Sequence, residues 1–190
     1  MTTQEFPHQH TAHCESGVMS TLLKYHGHNL DEAMIFGIAH ALTFVWMPLI
    51  KLNGMPLVSY RTAPRSIIKN TCKALGLKLS VRKFSNAQKG QDALDAALSS
   101  GKLAGLQTSV FWLPYFPPQM RFHFNAHNLL VYGKDGNDYL ISDPVFETVQ
   151  RCAAEDLQRA RFAKGVLAAK GMMYTLEDNR PSEQIMADLP

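Results

Sequence analysis

A chain of 190 residues that is 46% hydrophobic and 18% charged is long enough to bury a core and too apolar to be disordered. Its formal charge of +3 comes without a Lys/Arg block, which argues against nucleic acid as a partner, and its three cysteines, Cys14, Cys72 and Cys152, are too widely spaced for a disulfide framework. The most apolar run, Ala39 to Leu52, is broken by His40, Pro48 and Lys51, and the N-terminus lacks the basic-then-apolar order of a secretory signal, so a cytoplasmic protein with no transmembrane segment is expected.

Residues 1–12 read as a loop. From Cys14 to Tyr25, apolar side chains at Val18, Met19, Leu22, Leu23 and Tyr25 recur at helical spacing, and Gly27 stops the helix. Asn29 or Asp31 caps a second helix from Glu32 to about Leu42, with Asp31 and Glu32 as its solvated first turn. Short strands at 44–46 and 57–60 flank an Asn53–Gly54 turn. Pro64 opens a helix through Leu75, and LKLSVRKF, 77–84, alternates as a half-buried strand. A short helix at 91–100 and a buried strand at 103–110 follow. The three prolines of FWLPYFPPQMRF, 111–122, exclude regular structure there. The clearest hairpin pairs 128–132 with 138–141 across GKDGN and runs into Asp143–Pro144. A helix at 155–162 and a strand at 172–176 complete one domain, 1–176, before a polar tail, 177–190. Helices first and antiparallel strands later predict an α+β fold.

The stretch TAHCESGVMSTLLKYHG, 11–27, places a cysteine where a helix begins. If that helix starts at Ser16 or Gly17, Cys14 sits at or just outside the N-cap, facing unpaired N–H groups and the positive end of the dipole. That field contributes about 0.3–1 kcal/mol, too little to ionise a thiol at neutral pH. A histidine supplied by the fold would complete the activation. Cys72, inside a helix, and Cys152, with no histidine near it in sequence, read as buried filler. His127, in HFNAHNLLVYG, opens a buried strand, and Asp143, in YLISDPV, ends the strand paired with it. A carboxylate there can bond one ring nitrogen and leave the other for sulfur. The order Cys, His, Asp, with the last two far along the chain, matches papain-like enzymes.

The blocks HCESGVMSTLLKYHGHNLDEAMIFGIAHALTFVW, WLPYF, HFNAHNLLVYG and YLISDP resemble the N-terminal domain family of butirosin biosynthesis protein H over roughly residues 8 to 150. The resemblance implies a papain-like fold, N-terminal helices packed on an antiparallel sheet, with Cys14 as nucleophile, His127 as base and Asp143 as orienting group. The family's named member moves an aminoacyl group from an acyl carrier protein thioester to an amine. The implied activity is therefore transfer of an acyl group from a carrier-protein or coenzyme A thioester to a small-molecule amine or alcohol acceptor, in specialised metabolite or lipid biosynthesis. No cofactor is expected beyond phosphopantetheine carried by the substrate. The backbone N–H of Cys14 is one expected oxyanion donor; on the papain pattern Gln9, with His8 as the alternative, is the other.

His13 is expected beside the nucleophile and His123 along the cleft. Trp112 and Tyr115, in the proline segment, read either as core or as one wall of an acyl-binding cleft. Ser109 stands where the family often carries an acidic residue, and is assigned to the substrate side with them. A metal site built from His8, His10, His13 and Cys14, or from His123 and His127, is the rival reading. In a strand the last pair would lie about 13 Å apart, too far for one ion, so no metal is expected. Two other function classes stand beside acyl transfer: a peptidase or amidase on the same fold, and a non-catalytic binding module.

Overall fold

Val18, Met19, Leu22 and Leu23 fall on one stripe of the first helix, and all four are fully buried. Each such side chain contributes about 1.5–3 kcal/mol by leaving water, so this stripe decides how the helix docks. In the computed structural model, which describes residues 6–52 and 54–177, α1 (Cys14–Tyr25) leads through α2 (Glu32–Ile38) into a ribbon of β1 (Leu42–Leu52) and β2 (Met55–Arg61). Next come α3 (Ser66–Ala74), β3 (Leu79–Arg82), α4 (Ala87–Ser99) and β4 (Ala104–Thr108). Two single 3-10 turns, Val110–Trp112 and Pro118–Met120, interrupt the proline segment. The chain continues with β5 (His127–Asp135), β6 (Asp138–Ser142), β7 (Gln150–Ala153), α5 (Ala154–Phe162) and β8 (Met173–Leu176).

Six strands form one antiparallel sheet in the order β3-β8-β4-β5-β6-β7. Both faces are covered. The first three helices bury Leu130, Tyr174 and Leu176 on one side, while α4 and α5 bury Leu106, Leu129, Val131 and Ile141 on the other. Neighbouring strand residues thus enter opposite cores, which explains why β4 and β5 read as unbroken buried runs. The expected α+β class holds. At Gly105 the ring of Tyr174 lies against the backbone, where a Cβ would stand 2.0 Å from it; only glycine permits that approach.

Some boundaries differ from expectation, each for a local reason. The second helix ends at Ile38 because His40 turns left-handed (φ 48°), and the run LTFVW after it prefers a strand. The strands expected at 44–46 and 57–60 are the middle of a longer ribbon, paired with Trp46 opposite Val58. Its register shifts between Met47 and Lys51, around Pro48, which cannot donate to the ladder. Gly54 (φ 81°) serves the turn; Asn53 lies outside the described residues, as do residues 178–190 of the expected tail. α4 starts at Ala87 rather than 91 because the Asn86 side chain accepts from Lys89 N–H at 2.9 Å. β7 has no counterpart among the expected elements; its four residues carry no alternating pattern.

The ribbon stands apart from the six-stranded sheet and keeps its apolar side chains in water: Phe44 is 66% exposed, Trp46 59% and Tyr60 68%. Its root is fixed by Thr62 N–H on the Ala41 carbonyl at 2.9 Å. Among the described residues no helix is long and apolar enough to cross a membrane.

Candidate active site

His13, not Cys14 as expected, is the helix cap. His13 Nδ1 accepts from Ser16 N–H at 3.4 Å, so α1 begins at Cys14 itself, earlier than the expected Ser16 or Gly17. Helical bonding starts only with Gly17 N–H on the His13 carbonyl at 2.9 Å. The N–H groups of the first turn, that of Cys14 included, therefore have no helical acceptor. Glu32 sets this start point. Its Oε2 accepts Ala12 N–H at 2.9 Å, and its Oε1 accepts His13 N–H at 2.6 Å and the Ser16 hydroxyl at 3.1 Å. Expected as part of a solvated turn, Glu32 instead anchors the approach to the nucleophile. Glu15, 1% exposed, accepts from Arg61 Nη2 at 2.7 Å and so ties the ribbon's root to α1.

His127 is the first residue of β5, opposite Thr108 of β4. Asp143 directly follows β6, and the pairing of Leu130 with Ser142 brings the two together. His127 Nε2 donates to Asp143 Oδ2 at 2.7 Å, which directs Nδ1 to Cys14. Two more donors hold the carboxylate: Val145 N–H at 3.1 Å on Oδ1 and the Tyr115 hydroxyl at 2.9 Å on Oδ2. The ring of Phe116 packs edge-on against the imidazole at 5.4 Å.

The electrostatics follow from this geometry. Burial disfavours the His127 cation, but the Asp143 charge and hydrogen bond, followed by Cys14, outweigh it and hold the imidazole at about 10. Burial alone would push the Cys14 thiol up; the hydrogen bond and charge of His127, with Asn128 N–H, bring it below the ordinary thiol value. The two shifts agree. Both favour the thiolate–imidazolium pair over the neutral thiol and imidazole. Cys72 and Cys152, by contrast, are each pushed up to about 12 by burial.

Gly17 is a functional position that the sequence reading missed. A Cβ there would lie 1.9 Å from Thr11 Oγ1 and 2.8 Å from Pro144 Cβ. The close approach joins the nucleophile's helix to the loop that carries Asp143, and Thr11 N–H on the Pro144 carbonyl at 2.9 Å fastens it. Gly17→Ala is expected to separate Cys14 from His127 and lower the rate of Cys14 modification about 10²-fold, as a misplacement near 1 Å does. Kinetics of thiol modification, alongside circular dichroism to verify folding, would measure it; a rate within threefold of wild type would contradict the role.

Several expected site residues lie elsewhere. Tyr115 spends its hydroxyl on Asp143 rather than lining a substrate cleft. It is a positioning residue, and Tyr115→Phe is expected to cost about tenfold in kcat, the loss of one bond to a charged group, with KM unchanged. A raised KM with kcat preserved would restore the substrate-binding role. Ser109 is fully buried and its N–H bonds the Ala160 carbonyl at 2.9 Å, so it has no surface to offer a substrate. Trp112 borders a separate cavity of about 410 Å³ with Pro118, Arg121 and Arg159, none of them a triad member. His123 stacks on Phe111 at 4.1 Å. His13 does lie beside Cys14, as the helix cap, with Nε2 against Arg61 Nη1; burial, then Arg61, lowers its pKa.

The expected side-chain oxyanion donors, Gln9 and His8, are engaged elsewhere. Residues 6–13 run antiparallel to α1, with Phe6 against Tyr25 and Thr11 against Gly17. Gln9 Oε1 accepts from Ser20 Oγ at 3.4 Å, about 9 Å along the helix from Cys14. His8 bonds Ser142 Oγ at 2.7 Å and the Phe146 carbonyl at 3.0 Å. The side chain that this segment brings to the first turns is Thr11, whose buried hydroxyl has no hydrogen-bond partner among the described residues. Also among the described residues, no three His, Cys, Asp or Glu side chains converge in a metal-binding group.

A family model described as butirosin biosynthesis protein H, N-terminal, matches residues 13–144. The fold is similar to that of a C39-like peptidase from Bacillus anthracis, with TM-score 0.64 and 13% identity over 92% of this chain and 95% of that one. It is also similar to the peptidase domain of Streptococcus ComA, a bifunctional ABC transporter involved in quorum sensing, with TM-score 0.56 and 16% identity over 90% and 98%. No curated protein matches the chain. At these identities the likeness establishes the papain-like fold and no activity.

Proposed function

Because the chain belongs to the family of butirosin biosynthesis protein H N-terminal domains, we propose that it is a cysteine-dependent acyltransferase. The observation that carries this reading is the continuous chain of contacts from the Cys14 thiol through His127 to a buried, triply bonded Asp143. The donor is a carrier-protein or coenzyme A thioester, and the acceptor a small-molecule amine or alcohol.

Cys14 thiolate attacks the thioester carbonyl, and the tetrahedral oxyanion develops at the start of α1. There the N–H of Cys14 is one donor and the Thr11 hydroxyl, in place of Gln9, the second. As the intermediate collapses, the carbon–sulfur bond to the donor breaks and His127 gives its proton to the departing thiolate. His127, now neutral, takes a proton from the acceptor nucleophile as it attacks the acyl-enzyme. The product forms and Cys14 leaves as thiolate. Asp143 holds the imidazole in one tautomer and stabilises its cation throughout. This chemistry draws on no resident metal or organic cofactor.

A hydrolytic reading has one specific support, the peptidase names of both structural neighbours. Intact-protein mass spectrometry separates the two. Incubation with a panel of N-acetylcysteamine and pantetheine thioesters should add an acyl mass to the wild type and none to Cys14→Ala, and an amine should discharge the adduct faster than water. No adduct from any thioester, together with Cys14-dependent cleavage of peptides, would replace acyl transfer with hydrolysis.

A further inference from the structure

Between α3 and the β3–β8 edge of the sheet lies a cleft of about 460 Å³ that no triad residue lines. That volume is in the range of small-ligand sites, roughly 300–1,000 Å³. Sequence periodicity builds it. On α3, Ile68 and Cys72 stand one turn apart on the buried side, with Lys69 and Lys73 on the adjoining exposed stripe. Along the edge strand, Leu79, Val81 and Lys83 alternate toward the cleft, while Arg82, of opposite parity, lies over the Phe84 ring. Leu77, Met172 and Tyr174 complete the wall.

Two features of the lining define the occupant. Its body is mostly apolar, and no side-chain amide or carboxylate faces it. Its charged groups are all cations: Arg65, Lys69, Lys73 and Lys83. Among the described residues none of the four is within ion-pair distance of a carboxylate. Lysine stems lie along apolar walls and carry their ammonium groups to the water. Arg65 is held by Nε on Gln107 Oε1 at 2.6 Å and Nη2 on the Ala168 carbonyl at 3.2 Å, neutral acceptors that leave its charge uncompensated. Its backbone is left-handed, φ 76°, a conformation that a long side chain keeps only where its surroundings impose it.

We propose that this cleft binds a small amphiphilic carboxylate, its alkyl chain against Ile68, Leu79 and Met172 and its head group among Arg65, Lys69, Lys73 and Lys83. A cationic ligand finds no carboxylate in the lining, and an amphiphilic cation meets only like charges there. The assignment does not rest on acyl transfer. The cleft does adjoin the active site through one wall: Tyr174 donates to Asn128 Oδ1 at 3.3 Å, and Asn128 N–H bonds the Cys14 sulfur.

Calorimetry on the full chain tests the proposal, with sodium dodecanoate, sodium octanoate and dodecyltrimethylammonium as probes, each below its micellar concentration. One dodecanoate should bind per chain. Octanoate should bind more weakly, by up to about fourfold per methylene removed, and the cationic probe at least about tenfold more weakly than dodecanoate. The double variant Lys69→Glu/Lys73→Glu, at two exposed positions, should abolish the preference for the anion. Val81→Trp, at a residue 53% exposed, should fill the mouth and eliminate binding of both chains. Cys14→Ala should bind dodecanoate as the wild type does. The proposal is overturned if dodecanoate does not bind, binds Val81→Trp unchanged, shows no advantage over the cation, or loses its site in Cys14→Ala.

Discussion

Asp143→Ala is expected to slow acylation of Cys14 by about 10³–10⁴-fold, the scale at which triads lose rate when the orienting carboxylate goes. The carboxylate is fully buried and accepts three hydrogen bonds. Without it, His127 keeps its burial and loses the charge that holds it at about 10. The imidazolium then deprotonates at much lower pH, the thiolate loses its partner, and the Cys14 pKa rises. Asp143→Asn separates the two contributions. It keeps an acceptor for His127 Nε2 but not the charge, so it should retain more activity than alanine while its alkaline limb falls from about 10 toward neutrality. Single-turnover acylation across a pH series would show both effects. A profile for Asp143→Ala within tenfold of wild type at every pH would remove Asp143 from the mechanism.

Iodoacetamide at pH 7 should modify Cys14 and leave the other two cysteines untouched. Cys72 and Cys152, 4% and 1% exposed, are each raised to about 12 by burial, with Asp156 and Asp138 adding to the effect at Cys152. At neutral pH their thiolate fraction is about 10⁻⁵, whereas Cys14 is paired with an imidazolium. A rate ratio of at least about 10³ is expected. The sign of the pH dependence follows from the two shifts. A lowered Cys14 pKa means that the reactive form is already present below the ordinary thiol range. A raised His127 pKa means that the pair persists until pH approaches about 10. Alkylation should therefore plateau on the acid side of an ordinary cysteine, and turnover, which needs the imidazolium as acid, should fall as pH rises through about 10. Peptide mapping after timed alkylation reads the ratio. Comparable labelling of Cys72, or a Cys14 rate that climbs only with an ordinary thiol titration, would contradict the ion pair.

What was legible in the sequence was what short range controls. The body and C-terminal end of α1 followed from its apolar stripe and Gly27, and the β5–β6 hairpin followed from a turn-forming pentapeptide. That hairpin is why the sequence alone pairs His127 with Asp143: they sit at the same end of two strands joined by a tight turn. The supporting groups were not legible, because they reach the site over long sequence separations. Tyr115 bonds a residue 28 positions later, and His8 one 134 positions later. Glu32 has the composition of an ordinary first helical turn, and only the tertiary fold sends its carboxylate back to His13. Gly17 offered one readable signal, a glycine inside a helical pattern, on the face it shares with the small residues Ser20 and Thr21; such a glycine marks a close approach even when its partner is unknown. Ser109 misled for a related reason. Family correspondence located the position but carried no information on which way its side chain faces.

The solvent-exposed ribbon also governs how this protein reports on itself optically. The chain has two tryptophans, Trp46 on the ribbon and Trp112 on the proline segment, 59% and 38% exposed. Neither indole is buried in the sheet's two cores, so native emission should already be red-shifted and open to quenching by iodide. Melting the interior would then change the signal little, while a contact made by the ribbon would shift it toward the blue with no change in fold. Denaturation curves for this chain are better followed by far-ultraviolet ellipticity, and fluorimetry kept for what touches Trp46.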